Sequence, residues 1–325
     1  MRLALAATLL ISSTALAQTE IRVASLAPPG SAWANIMEKG NTRLQAETQG
    51  RVKLRPYFGG QQGDERDVVR KMKLGQLDGA ALTATGLGLI VPEVLVLQLP
   101  FMFDRYEQID FVRQELGPEL EKRFAAAGYV LVSWGDVGWV HTYSTERLDT
   151  PAKLAAAKMW QWGDDPIVRE YFSILGINGV PMGVPDVLPA LQTGAIQACY
   201  GPPLAAVALQ WYTKLHFMVD KPSAYGIGAF VIRKEVFDTL SPADQKVLLD
   251  GGHETGVQLV AMVRRDNERA KKAMFKAGIQ VVQVPDVAHA ILVAAGKQVW
   301  GKLAGQLYSK ELLDRVIELA ARAPR

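Results

Sequence analysis

Between Leu154 and Pro203 the chain switches, within a short distance, between strand patterns and helix patterns. Lys158-Met159-Trp160-Gln161-Trp162 reads as a short strand whose two indoles lie on one face, because side chains two apart on a strand point the same way. Ile167, Val168, Tyr171, Phe172 and Leu175 then recur at helical spacing and form one apolar stripe over Pro166–Leu175. Val187, Leu188 and Leu191 repeat that spacing in a shorter helix ending at Gly194, and Ile196 to Tyr200 reads as a strand bending at Gly201-Pro202-Pro203. Strands joined by helices argue for an α/β fold with largely parallel sheets covered on both faces.

The pattern extends along the chain. Further strands are expected at 21–26, 52–58, 79–82, 130–134, 139–144, 228–233 and 279–284. Ser241-Pro242-Ala243-Asp244 is an N-cap followed by proline at the first helical position. From Ala243 to Ala277 the sequence is helical almost without interruption, long enough to cross two lobes, and Gly251-Gly252 allows a bend near its start.

At the other end, Arg2, the apolar run Leu3–Leu16 and Ala15-Leu16-Ala17 before Gln18 have the form of a cleaved export signal over residues 1–17. The apolar run is short for a membrane span. The remainder of a 325-residue chain is too long for one core and fits two lobes. With 36 basic and 33 acidic residues, composition makes no case for nucleic acid. A single cysteine, Cys199, rules out an internal disulfide and reads as a buried thiol in an apolar strand.

Catalytic and cofactor motifs are missing. Thr85-Gly86-Leu87-Gly88 lacks the third glycine and the acidic partner of a dinucleotide loop. His141, His216, His253 and His289 show no metal-ligand spacing, and there is neither a nucleophile elbow nor a P-loop. Arg264, Arg265, Arg269, Lys271, Lys272 and Lys276 make a basic stripe on the long helix, which reads as a solvated face or as a docking surface for a partner protein or anionic membrane.

Several blocks, in order, resemble the solute receptors of TRAP (tripartite ATP-independent periplasmic) transporters, the DctP type. They are Ile21–Ser31, Gly50–Leu54 with Gly59-Gly60-Gln61-Gln62-Gly63, Leu74–Ala80, Pro92–Phe103, and Pro181-Met182 through Gly194. The resemblance implies a periplasmic, two-lobed binding protein fold with crossing strands and a long helix spanning both lobes. Such a receptor closes by a hinge on one ligand and hands it to a membrane permease driven by an ion gradient, without cofactor, metal or catalytic group. It implies lobes of 18–140 plus 227–270 and of 141–226 plus 271–325.

The chain departs from the family where relatives hold a carboxylate. The strand of form G-L-K-I-R, whose arginine forks onto the ligand, aligns with Lys158–Trp162 and puts Trp160 in the arginine's place. In the G-x-R turn of some members Val140 replaces the arginine, and Gly201 stands where an asparagine is common. A carboxylate sealed in a cleft without a partner costs several kcal/mol in desolvation, and each lost charge-assisted hydrogen bond removes about 1.5–3 kcal/mol. Apolar ligand surface gains about 25 cal/mol per Å² instead, and an indole adds one N–H to orient a hydroxyl or carbonyl. The expectation is a neutral, largely apolar ligand held by Trp160, Trp162, Val140, Thr83, Thr85, Gln61, Tyr200, Gly201, Tyr225 and Trp33. Two alternatives stand beside it. One is a receptor for organic acids using another cation such as Arg66 or Arg70; the other is a sensor or enzyme on the same scaffold, with His141 or Asp136 as the acid or base.

Overall fold

The computed structural model describes residues 18–163 and 165–324; the expected export signal lies outside them. Ten strands are present: β1 (Thr19–Ser25), β2 (Val52–Tyr57), β3 (Gly79–Thr83), β4 (Tyr129–Ser144), β5 (Met159–Trp162), β6 (Gly179–Met182), β7 (Ala198–Gly201), β8 (Phe217–Val219), β9 (Ala224–Arg233) and β10 (Gln280–Val282). They run in the order β2-β1-β3-β9-β4-β7-β5-β6, with β8 beside β4 and β10 beside β8. Neighbours pair in parallel at β1–β2, β1–β3, β5–β6, β5–β7 and β8–β10, as helical crossovers require. The fold is two-lobed because β4 serves two sheets. Its first part, Tyr129 to Val140, lies antiparallel to β9. Its last part, His141 to Ser144, pairs with β7, and Tyr143 and Ser144 also pair with β8.

One expectation is corrected here. Two strands, 130–134 and 139–144, are one strand of 16 residues. Pairing with β9 continues through the residues between them, with register shifts at Leu131/Ser133 and Asp136/Gly138 and no break. Gly138 sits at φ +124, and a Cβ there would lie 2.4 Å from the Asn267 amide. β6 and β8 were not expected. β6 contains Pro181, which a sheet tolerates at its edge, and β6 is the last strand of its sheet.

The long helix runs unbroken from Pro242 to Lys276, 35 residues and about 52 Å. Ser241 Oγ accepts from Asp244 N at 3.1 Å, and Arg51 grips the Asp244 carboxylate at 2.8 Å. Its glycines permit close approach to β4: a Cβ on Gly252 would be 2.3 Å from Val132, and one on Gly256 would be 2.7 Å from the Trp134 carbonyl. Farther along, Asn267 clamps both lobes, donating to Val137 O at 3.1 Å and accepting from Leu204 N at 2.9 Å.

Within 271–325, expected in the second lobe, the C-terminal helix Lys310–Arg322 packs on a helix of the first. Its apolar stripe of Leu312, Leu313, Val316 and Leu319 shares a core with Leu116, Leu120 and Phe124 of the helix Tyr106–Ala126. Arg315 and Glu119 join the two at 2.8 Å.

At the lobe crossing Asp136, fully buried, accepts from Arg113 and Arg264, each at 2.8 Å, and from the Tyr225 hydroxyl at 2.5 Å. Arg264 also lies over the Tyr106 ring, 4.4 Å from its centroid. Removing the carboxylate leaves two guanidinium groups in a half-buried site. Asp136→Ala is expected to destabilise the protein by about 3–5 kcal/mol, read from the midpoint of urea unfolding.

Candidate functional site

A cavity of about 360 Å³ lies between the sheets and is lined mainly by apolar side chains. Its second-lobe wall is an aromatic stack. Trp160 lies against Tyr200 with ring centroids 4.7 Å apart and planes 21° apart, and it meets Trp162 at 5.8 Å and Trp211 at 5.4 Å. The first-lobe wall brings Ser25, Leu26 and Thr83 from the ends of β1 and β3. These are carboxyl ends of parallel strands, where α/β folds place ligands.

Seven of the ten expected residues line this cavity: Trp33, Thr83, Val140, Trp160, Trp162, Tyr200 and Gly201. Gln61, Thr85 and Tyr225 do not, and each for a reason. Gln61 is exposed in a turn after Gly59 and Gly60, both at positive φ. Thr85 is buried in the first turn of the helix Ala84–Gly88, with its hydroxyl donating to Asp165 Oδ2 at 3.3 Å. Tyr225 is 1% exposed, packs on Trp139 at 4.8 Å and donates its hydroxyl to Asp136.

The role expected of the indole N–H groups is also corrected. Trp160 is 2% exposed and its Nε1 donates to Met182 O at 3.1 Å. Trp162 Nε1 donates to Asp64 Oδ2 at 2.7 Å. A buried N–H must find an acceptor, and both have found protein ones. The indoles therefore present ring surface to the cavity and no donor. The vacancy at Gly201 is filled from behind: a Cβ there would lie 3.3 Å from the Trp211 ring.

The Trp162–Asp64 bond joins the two lobes across the cleft, and so does Thr85–Asp165. Gly60 meets Pro185, where a Cβ would be 3.1 Å from the proline ring, so the loop after β2 also reaches the opposite lobe. Asp165 caps the helix Pro166–Leu175 through Oδ1, accepting from Ile167 N and Val168 N at 2.9 and 3.1 Å. Its other oxygen reaches Thr85, 80 positions away in the chain.

Charged groups near the cavity are mostly acidic. Glu65, missed in the sequence, is buried at the start of the helix Ala84–Gly88. It accepts from Thr83 N at 2.7 Å, Thr83 Oγ1 at 2.8 Å and Gly86 N at 2.6 Å. Burial pushes its pKa up to about 7 against these hydrogen bonds. Burial likewise raises Asp64 and Asp165 above the usual carboxylate range. Among the described residues the lysine and arginine side chains lining the cavity are Arg43 and Lys221, and both are paired, Arg43 with Glu47 and Glu254 and Lys221 with Asp286. Arg66 and Arg70 are not lining residues, and Arg70 pairs with Asp67.

The two candidates for acid–base work are committed elsewhere. Asp136 is held by Arg113, Arg264 and Tyr225. His141, on the strand face opposite Val140, hydrogen-bonds Val219 O at 2.9 Å through Nδ1, and burial takes its pKa down to about 4.

This architecture, two α/β lobes sharing long strands and closing on one cavity, is that of a solute-binding receptor. Residues 23–306 match the DctP model, bacterial extracellular solute-binding protein family 7, and the chain belongs to that family. It is 24% identical over 285 residues to a solute-binding protein of Verminephrobacter eiseniae, covering 87% of this chain and 85% of that one. It is 25% identical over 247 residues to the 2,3-diketo-L-gulonate-binding periplasmic protein YiaO of Escherichia coli, covering 75% of each. Among solved structures, a TRAP periplasmic solute-binding protein of Ralstonia eutropha with bound (S)-2-acetolactate superposes with a TM-score of 0.87 at 24% identity, covering 93% of this chain and 99% of that one. One of Xanthobacter autotrophicus with bound β-D-galacturonate gives 0.86 at 21% identity, with the same coverage.

Glu65 makes a pH prediction. Its folded pKa of about 7 lies above the ordinary value of 4.5, so between these the native state binds the extra proton and unfolding releases it. Its contribution is therefore most favourable below pH 4.5 and is lost as pH rises through 7. In urea unfolding across that range, the parent is expected to lose stability relative to Glu65→Gln as pH rises from 4.5 through 7. A difference independent of pH contradicts the assignment.

Proposed function

We propose that this protein is the extracytoplasmic receptor of a TRAP transporter and that it closes on a small, neutral, largely apolar ligand for delivery to an ion-gradient-driven permease. The observation behind the ligand class is Trp160. It occupies the place of the family's carboxylate-binding arginine, and its ring is stacked on Tyr200 with its N–H already bonded to Met182 O. An anion entering here would meet indole surface and the carboxyls of Asp64 and Glu65, and its desolvation would go uncompensated by several kcal/mol. Apolar ligand surface gains about 25 cal/mol per Å² in the same space. Trp162, Tyr200, Val140, Gly201, Thr83 and Trp33 are the proposed contacts, with Trp160 as the platform beneath them. We place the hinge where β4 and β9 cross.

The names of the structural neighbours support a second reading. Their ligands are acids: (S)-2-acetolactate, β-D-galacturonate and, in a protein from Bordetella pertussis, pyroglutamic acid. A receptor for an organic acid would need a cation brought into the cleft by the ligand or by opening of an existing pair. A thermal-shift screen on protein stripped by unfolding and refolding separates the two. Stabilisation by neutral apolar compounds is expected. A response to sugar acids and dicarboxylates alone overturns the proposal.

Closure rests in part on the Trp162–Asp64 bond, a charge-assisted contact worth about 1.5–3 kcal/mol. Trp162→Phe keeps an aromatic ring, though a smaller one, and removes the donor. Release of a bound neutral ligand is expected to accelerate about tenfold or more in stopped-flow measurements, since each 1.4 kcal/mol is a factor of ten.

A further inference from the structure

The cavity does not end at the interlobe cleft. It continues into the first lobe between the helix Ala32–Glu47, the start of the long helix and the sheet beneath them. Trp33, Ile36, Met37, Gly40 and Leu44 line it from the first helix, spaced as one face of a helix. Leu248, Gly252, Thr255 and Leu259 line it from the second. Leu54, Val132 and Phe230 form the floor from β2, β4 and β9. The two helices meet above this space, since a Cβ on Gly40 would lie 3.2 Å from Thr255 Oγ1, so they roof a channel and do not leave an open groove. Its far end carries the polar groups. Arg43 bridges the helices by pairing with Glu47 on one and Glu254 on the other, and Lys39 reaches Gln258 at 3.4 Å. From Trp33 to Leu44 the channel follows about 16 Å of helix.

A compact ligand filling the cleft would leave this channel empty, and a narrow apolar passage continuous with a binding cleft matches one shape of molecule. We infer that the channel is a tail subsite and that the ligand is an elongated amphiphile. Its polar end stays in the cleft near Ser25 and Thr83, and a single hydrocarbon chain runs beneath Ala32–Glu47 toward the Arg43 pairs. This rests on the neutral-ligand reading and adds the ligand's length to it. Selectivity for chain length then comes from the first lobe, while the aromatic stack of the second lobe selects against charge.

The test is displacement of N-phenyl-1-naphthylamine by straight-chain alcohols from hexanol to tetradecanol. Affinity is expected to rise about fourfold per methylene and then level off once the chain reaches the Arg43 end. Met37→Trp, midway along the channel, should make the gain stop at a shorter chain than in the parent. Leu44→Trp, near the far end, should stop it at an intermediate length. A melting transition for each variant shows that it is folded, and the two positions give independent readings if one is not. Levelling off at the same chain length in parent and folded variants overturns the tail subsite while leaving a neutral ligand in the cleft. Failure of every alcohol to bind, with galacturonate binding instead, overturns the neutral-ligand reading itself.

Discussion

β4 belongs to both sheets, and the rest of the molecule is arranged around that sharing. A single strand passing from one sheet to another must change its twist and partners in the middle. The register shifts at Leu131/Ser133 and Asp136/Gly138 absorb the change. The same stretch is where β9 crosses alongside, where the long helix presses its glycines onto the backbone, and where Asp136 gathers Arg113, Arg264 and Tyr225. Charges and hydroxyls buried there need every partner satisfied, so the crossing holds its geometry while the lobes on either side are joined by few direct bonds. A receptor that opens and closes needs this contrast between a firm axis and a lightly latched rim.

Chemistry in the cleft follows from a second constraint, that a buried donor takes an acceptor. Trp160 stacks on Tyr200 and meets Trp162 at a tilt, yet the indole N–H groups are occupied by Met182 O and Asp64. What faces the cavity is therefore aromatic surface. The polar groups nearby are acids whose pKa values burial raises, which suits an uncharged ligand better than an anion. Bonds between the lobes, Trp162 to Asp64 and Thr85 to Asp165, close over it. The aromatic wall thus also supplies one of the bonds between the lobes.

Much of the fold was legible because local rules fix it. Ser241-Pro242 announced the long helix, the apolar stripe from Ile167 to Leu175 the helix after β5, and Gly194 the end of the helix Val187–Thr193, where it sits at φ +71. Glycines misled where their role is tertiary. The stretch from Gly135 to Gly138 looked like a gap between strands but continues one strand, with a register shift between Asp136 and Gly138, and Gly251-Gly252 allowed a bend but serves packing at Gly252. Of the expected site residues, those at strand ends line the cavity because parallel strands deliver their carboxyl ends to the cleft. Tyr225, also on a crossing strand, was misplaced because its direction depends on a register that sequence does not display.

Sequence alone determined the alternation of strands and helices and the two-lobed class, since these depend on residue type, short-range spacing and chain length. Only tertiary structure decided that the indole donors are consumed, that Glu65 and Asp165 border the cavity, that the last helix joins the first lobe, and that the cleft continues beneath Ala32–Glu47. Each of those rests on contacts between residues far apart in the chain, where hydrogen-bond satisfaction and packing, not propensity, choose the partner.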